Sequence, residues 1–171
     1  MSSLRSPQRP SAPDSLAALG AAAVRVAEDS LFAYAEPCGT ARTTAMLQAR
    51  PEAEPWLSAS VTFRGPFDGK VRVSLPRTLA ADLGGAFSGL PATALDDHQL
   101  ADFAGELANM VCGRWLTLTH RAEHFELAAP VVAGAAAGAV AATFEPDAIG
   151  VALNDSPLLI VLSAGSPVPQ A

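Results

Sequence analysis

Apolar residues recur at helical spacing in two long stretches of the chain and alternate at strand spacing in several shorter ones. Leu16, Leu19, Ala23, Val26 and Phe32 mark the first stretch. They predict a helix capped by Asp14 or Ser15, running to about Tyr34 and stopped by Pro37-Cys-Gly39. Phe103, Leu107, Met110 and Val111 form the apolar stripe of the second, which starts behind the carboxylates of Asp96-Asp97 and runs to about Thr119, with Trp115 and Leu116 near its end. A shorter helix over Leu79–Phe87 ends at the breakers Gly89 and Pro91. Leu57–Arg64 and Lys70–Leu75 alternate around Gly65-Pro-Phe-Asp-Gly69, the pattern of a hairpin with a glycine turn. Thr40–Gln48 alternates weakly, as an edge strand does, and Glu52–Pro55 reads as a linker. Phe125–Val132, Ala139–Phe144, Ile149–Leu153 and Leu158–Ser163 are further strand candidates. Helices and hairpins in this order predict an α+β domain with a mostly antiparallel sheet covered by helices.

Composition narrows what such a domain does. With 171 residues, half of them hydrophobic, the chain is one domain with a core of its own. Aromatic residues make up 6%, which predicts a core of small side chains. A formal charge of −6 argues against nucleic acid as a partner. Cys38 and Cys112 stand far apart without a C-x-x-C pattern and read as buried, reduced thiols. His120 and His124 fit one helix face but lack a third metal ligand, and with His98 they read as surface or edge residues. Residues 1–13, with Arg5, Arg9, three prolines and four serines, form a flexible tail without the apolar segment of a signal peptide, so a cytoplasmic location is expected. Leu127–Phe144 is an uncharged run of 18 residues containing Gly134-x-x-x-Gly138, long enough to raise the question of a membrane span. Its alanine and glycine content and Pro130 argue against insertion.

The chemistry concentrates in the second long helix. Asp102, Glu106, Asn109 and Gly113 follow one another at spacings of four, three and four, which sets them within roughly 60° of arc on one face. Asn is a poor helix-interior residue, and Gly105 and Gly113 each cost about 1 kcal/mol there relative to Ala. The glycines allow another surface close to the backbone. Glu106 offers that surface a charge, and Asn109 an amide that both donates and accepts. On these residues alone the face reads either as a solvated helix surface with an incidental amide or as a working site.

Asp102-x-x-x-Glu106-x-x-Asn109 followed by Pro130 resembles the active-site signature of the CheC/CheX/FliY phosphatases of bacterial chemotaxis. Glu106-Leu-Ala-Asn-Met-Val-Cys-Gly113 is most similar to the CheX version. The likeness continues outside the motif: Ser60–Pro76 resembles the family's paired strands, Thr78–Gly89 the helix after them, and Leu127–Gly134 the strand and turn after the catalytic helix. It covers residues 14–165 in order, leaving tails at 1–13 and 166–171. The connection from Asn109 to Pro130 is two residues shorter than the family pattern. The resemblance implies a CheC-like domain of two pseudo-two-fold related halves. Glu28 and Asp29 of the first helix lack an Asn at the required offset, so one site per chain is expected.

The implied activity is hydrolysis of the aspartyl phosphate of a CheY-like response regulator. The regulator brings its own Mg²⁺, and the phosphatase, needing no cofactor or metal of its own, orients a water in line with the P–O bond. By resemblance Asn109 holds that water, Glu106 pairs with the regulator's active-site lysine, and Asp102 positions the pair, with Gly105, Gly113 and Pro130 in support. The resemblance also implies a homodimer that leaves the motif helices exposed. Apolar segments such as Val131–Val140 and Leu158–Val161 agree, since they leave sheet edges to cover. A second reading is a non-catalytic CheX-like module that keeps the fold to bind a receiver domain or to dimerise. A third, an enzyme acting on a free metabolite, lacks a phosphate loop, a nucleophile and a metal set.

Overall fold

In the computed structural model, which describes residues 12–142, 144 and 148–167, a long helix α1 (Ala12–Ser30) leads to a short strand β1 (Ala35–Cys38). A short helix α2 (Thr40–Gln48) and a hairpin of β2 (Pro55–Arg64) and β3 (Phe67–Pro76) follow. Helix α3 (Arg77–Ser88) and a single 3-10 turn at Ala92–Ala94 then intervene, and the same order is repeated. The long helix is α4 (Asp97–Thr119), the short strands are β4 (Glu126–Leu127) and β5 (Val131–Ala136), the short helix is α5 (Ala137–Ala142), and the hairpin is β6 (Ala148–Leu153) with β7 (Ser156–Pro167).

All seven strands lie in one antiparallel sheet ordered β1-β6-β7-β3-β2, with β4 and β5 both on the far side of β2. Each half hands its short strand to the other: β1 pairs with β6, and β5 with β2. A pseudo-two-fold axis therefore runs between β3 and β7. One sheet face, through Ala59, Val61, Phe63, Val71, Val73 and Ile160, buries against Leu19, Ala22 and Val26 of α1 and Phe103, Leu107, Val111 and Trp115 of α4. On the opposite face α2 and α5 cover only a patch, where Leu47, Ala137 and Val140 pack with Trp56 and Leu159. The α+β architecture, the helix after the hairpin and the capped motif helix are as the hydrophobic pattern predicts. The hairpin forms too, but β3 begins at Phe67, so only Gly65 and Pro66 stand outside the strands where the pattern predicts a turn over Gly65–Gly69.

Four local expectations give way to tertiary context. The first helix ends at Ser30, not near Tyr34, because Phe32 takes a left-handed φ of 51° and Ala27 C=O accepts from both Leu31 and Ala33 N–H. The segment expected to be its last turn enters β1 instead. Thr40–Gln48 is a helix, since Thr43 and Leu47, four apart, are the residues that bury. Thr43 sits so close to Gly150 of β6 that a Cβ there would meet Thr43 Oγ1. Ala139–Phe144 falls mainly in α5, where Ala137 and Val140 bury at helical spacing. Phe125–Val132 divides into β4 and β5, which flank Pro130.

Two readings of packing also change. Leu158–Val161 is no sheet edge: it lies in β7 between β6 and β3. The core is rich in alanine, as the composition predicts, yet Trp56, Trp115 and Phe63 are among its largest fully buried side chains. The uncharged run from Leu127 is shared among β4, β5 and α5, and no helix of the described residues is long and apolar enough to cross a membrane. The tails expected at 1–13 and 166–171 lie, apart from positions 12, 13, 166 and 167, outside the described residues.

Candidate active site

The start of α4 is fixed by a capping box. Asp96 Oδ1 accepts from Gln99 N–H at 2.8 Å, and Gln99 Oε1 accepts from Asp96 N–H at 3.0 Å. Registered from that point, α4 buries Phe103, Leu107, Val111 and Trp115 and turns Asp102 and Glu106 to solvent, with Asn109 and Gly113 half-buried. The face expected from the spacing is the face observed. Asp102 Oδ2 lies 3.0 Å from His98 Nδ1, one turn back. No hydrogen bond or ion pair ties the Glu106 carboxylate or the Asn109 amide to another described residue. An acid and an amide three apart on a helix have Cβ atoms about 5–6 Å apart, so both can reach one incoming group.

Gly105 and Pro130 form a single contact. A Cβ on the buried Gly105 would lie 3.0 Å from Pro130 Cγ and 3.5 Å from Val132 Cγ2. The surface that approaches the helix here is thus the chain's own loop, seated beside Glu106, and the shortened connection still delivers Pro130 to it. Gly113 differs, with nothing within 4 Å of where a Cβ would stand.

Sequence reasoning missed the groove beside this face. Its walls are Gly84, Phe87 and Ser88 of α3, Leu95, and Gln99, Asp102, Phe103 and Glu106 of α4, around about 360 Å³. The double glycine Gly84-Gly85 is the sequence signal for it, since paired glycines in a helix mark a close approach. His120 was also misread. It ends α4 with its ring against Phe67, Trp115 and Phe125 and Nδ1 3.0 Å from Glu123, so it neither shares a helix face with His124 nor lies on the surface. Cys38 and Cys112 are free and buried, and burial pushes the Cys112 thiol up to about 12, far from a neutral-pH nucleophile. Among the described residues no three His, Cys, Asp or Glu side chains converge as a metal-binding group.

The family model "Chemotaxis phosphatase CheX" matches residues 57–148, more than half of the chain. The chain belongs to the CheX family. The matched segment spans the central hairpin, α3, all of α4 and Pro130, hence every residue of the face just described. No curated protein sequence matches. Solved structures with the same fold include CheX from Vibrio vulnificus (TM-score 0.66, 16% identity, covering 92% of this chain and 100% of that one). CheX from Desulfovibrio desulfuricans is similar (TM-score 0.62, 16% identity, 89% and 99% covered). So is the structure of a CheX-CheY-BeF₃-Mg²⁺ complex from Borrelia burgdorferi (TM-score 0.57, 13% identity, 92% and 100% covered).

Proposed function

We propose that the chain is a phosphatase for the aspartyl phosphate of a CheY-like response regulator, with the exposed face of α4 as its working surface. The observation that carries this reading is the Glu106/Asn109 pair, free of partners among the described residues and seated beside Gly105–Pro130 in a chain of the CheX family. An acyl phosphate already has a good leaving group, and Mg²⁺ on the receiver neutralises its oxygens. The remaining task is to hold a water in line. The Asn109 Oδ1 accepts a hydrogen bond from that water and its NH₂ donates to a phosphoryl oxygen, without adding negative charge beside a dianion. Glu106 pairs with the receiver's lysine. Asp102, engaged with His98, borders the site rather than reacting. The CheX-CheY complex from Borrelia burgdorferi supports the choice of partner.

The reading includes a homodimer through β5. That edge strand has neither charge nor proline, and Val131 is 71% exposed, whereas the opposite edge, β1, carries Glu36 and Pro37. The test mixes purified protein with receiver domains charged by acetyl phosphate and follows phosphate release. Acceleration that vanishes when Mg²⁺ is chelated is expected, together with no stoichiometric zinc by elemental analysis. A chain that leaves every receiver at its unaided rate contradicts the proposal.

A further inference from the structure

The groove between α3 and α4 shares Glu106 with the proposed site but plays no part in the chemistry assigned to it. Its floor is apolar, through Leu95 and Phe103, and the Phe87 ring stands at its lip 5.9 Å from that of Phe103. Phe87 is 49% exposed, and Leu90, just beyond the left-handed Gly89, is 43% exposed. Phe87 thus stays in water at the edge of a cavity that could bury it against a visitor, and Leu90 adds a second exposed apolar side chain three residues on. The rim carries charge of one sign: Asp102 and Glu106 line it, and no lysine or arginine does. The groove is also preformed. A Cβ on Gly84 would lie 3.2 Å from both Leu95 Cδ1 and Phe103 Cγ, and one on Gly85 would lie 2.7 Å from Leu90 C=O, so two glycines set how closely α3 meets α4 and the loop after it.

We infer that this groove selects the receiver: it takes one exposed apolar side chain of the receiver domain, flanked there by a basic group that meets Asp102. This rests on the receiver-phosphatase reading, because a receiver placed over Glu106 and Asn109 necessarily overlies the groove that Glu106 also lines. The division of labour is physical. The amide and the acid address the phosphoryl site, which all receivers share, while an apolar pocket with an acidic rim distinguishes one receiver surface from another.

The test measures binding of a beryllofluoride-charged receiver and, separately, turnover of the phosphorylated form. Phe87→Ala is expected to weaken binding about tenfold and to raise KM rather than lower kcat, while Phe87→Leu recovers most of the affinity. Ser88→Lys alters the rim from an exposed position and adds a like charge to the visitor's basic group. It is expected to weaken binding where Ser88→Ala, which loses the same Oγ bond to Gly84 C=O without adding charge, leaves binding near native, and that contrast separates lost docking from lost fold. Phe87→Ala and Ser88→Lys that both bind as the native chain does overturn the groove, even where Asn109→Ala still abolishes turnover. An Asn109→Ala variant with native turnover overturns the phosphatase reading instead, and leaves the binding loss of Phe87→Ala to support the groove.

Discussion

The two halves of the molecule share an architecture and differ in what their long helices offer to solvent. On α1 the residues spaced along the exposed face are Ala17, Ala21, Arg25 and Glu28, with Arg25 and Glu28 paired at 3.8 Å. On α4 the corresponding stripe is Asp102, Glu106, Asn109 and Gly113, with Glu106 and Asn109 unpaired among the described residues. Both helices bury their other side against the same sheet face and are bridged by Arg114 and Asp29 at 3.2 Å. Packing therefore constrains the two helices alike, and the solvent face is where they were free to diverge. Beside Glu106, α4 also has the groove shared with α3, and on its Gly105 it seats the Pro130 loop. The sheet edges diverge in the same way, with β1 guarded by Glu36 and Pro37 and β5 open.

The largest expected effect isolates the charge of the amide. Asn109→Asp keeps the size and places a carboxylate beside the phosphoryl dianion, and turnover of phospho-receiver is expected to fall by about 10²–10³-fold. Retention of native turnover would show that neutrality at this position is unimportant. A smaller effect falls on stability. Gly105→Val must displace Pro130 and Val132, so urea unfolding is expected to show a loss of about 2–3 kcal/mol. Val131→Lys should weaken the β5–β5 dimer by at least about tenfold, or 1.4 kcal/mol, read as mass by light scattering, and Glu36→Lys on the other edge should leave the mass unchanged. The smallest effect has the opposite sign: Gly113→Ala meets open space and should stabilise the fold by about 0.5–1 kcal/mol. Two glycines eight residues apart on one helix then answer in opposite directions, which a purely surface helix would not do.

Much of this was legible in the sequence, and the rest was hidden for identifiable reasons. The carboxylates of Asp96-Asp97 announced the start of α4, and the 3.6-residue period fixed which side of it faces water. Residues far apart in sequence supply what was not seen. Thr40–Gln48 and Ala137–Ala142 are too short for their period to outvote local alternation, and their helical state depends on Trp56 and Leu159 from other elements. The Gly105–Pro130 contact joins positions 25 apart, so a glycine that looked reserved for a partner is used by the chain itself. The groove needs Phe87 from α3, Leu95 from the loop and Glu106 from α4 at once, and no single segment carries that pattern.

One measurement tests the central claim most directly: single-turnover loss of phosphate from one phosphorylated receiver, alone, with the native chain, and with Asn109→Ala. The account predicts that the native chain speeds the loss at least tenfold over the unaided receiver, and that Asn109→Ala returns it to within a few-fold of the unaided rate. It also predicts that Asn109→Ala unfolds no earlier than the native chain, since alanine is the better helix former by about 0.5 kcal/mol. A native chain without effect on the receiver, or an Asn109→Ala variant as fast as native, would contradict the account.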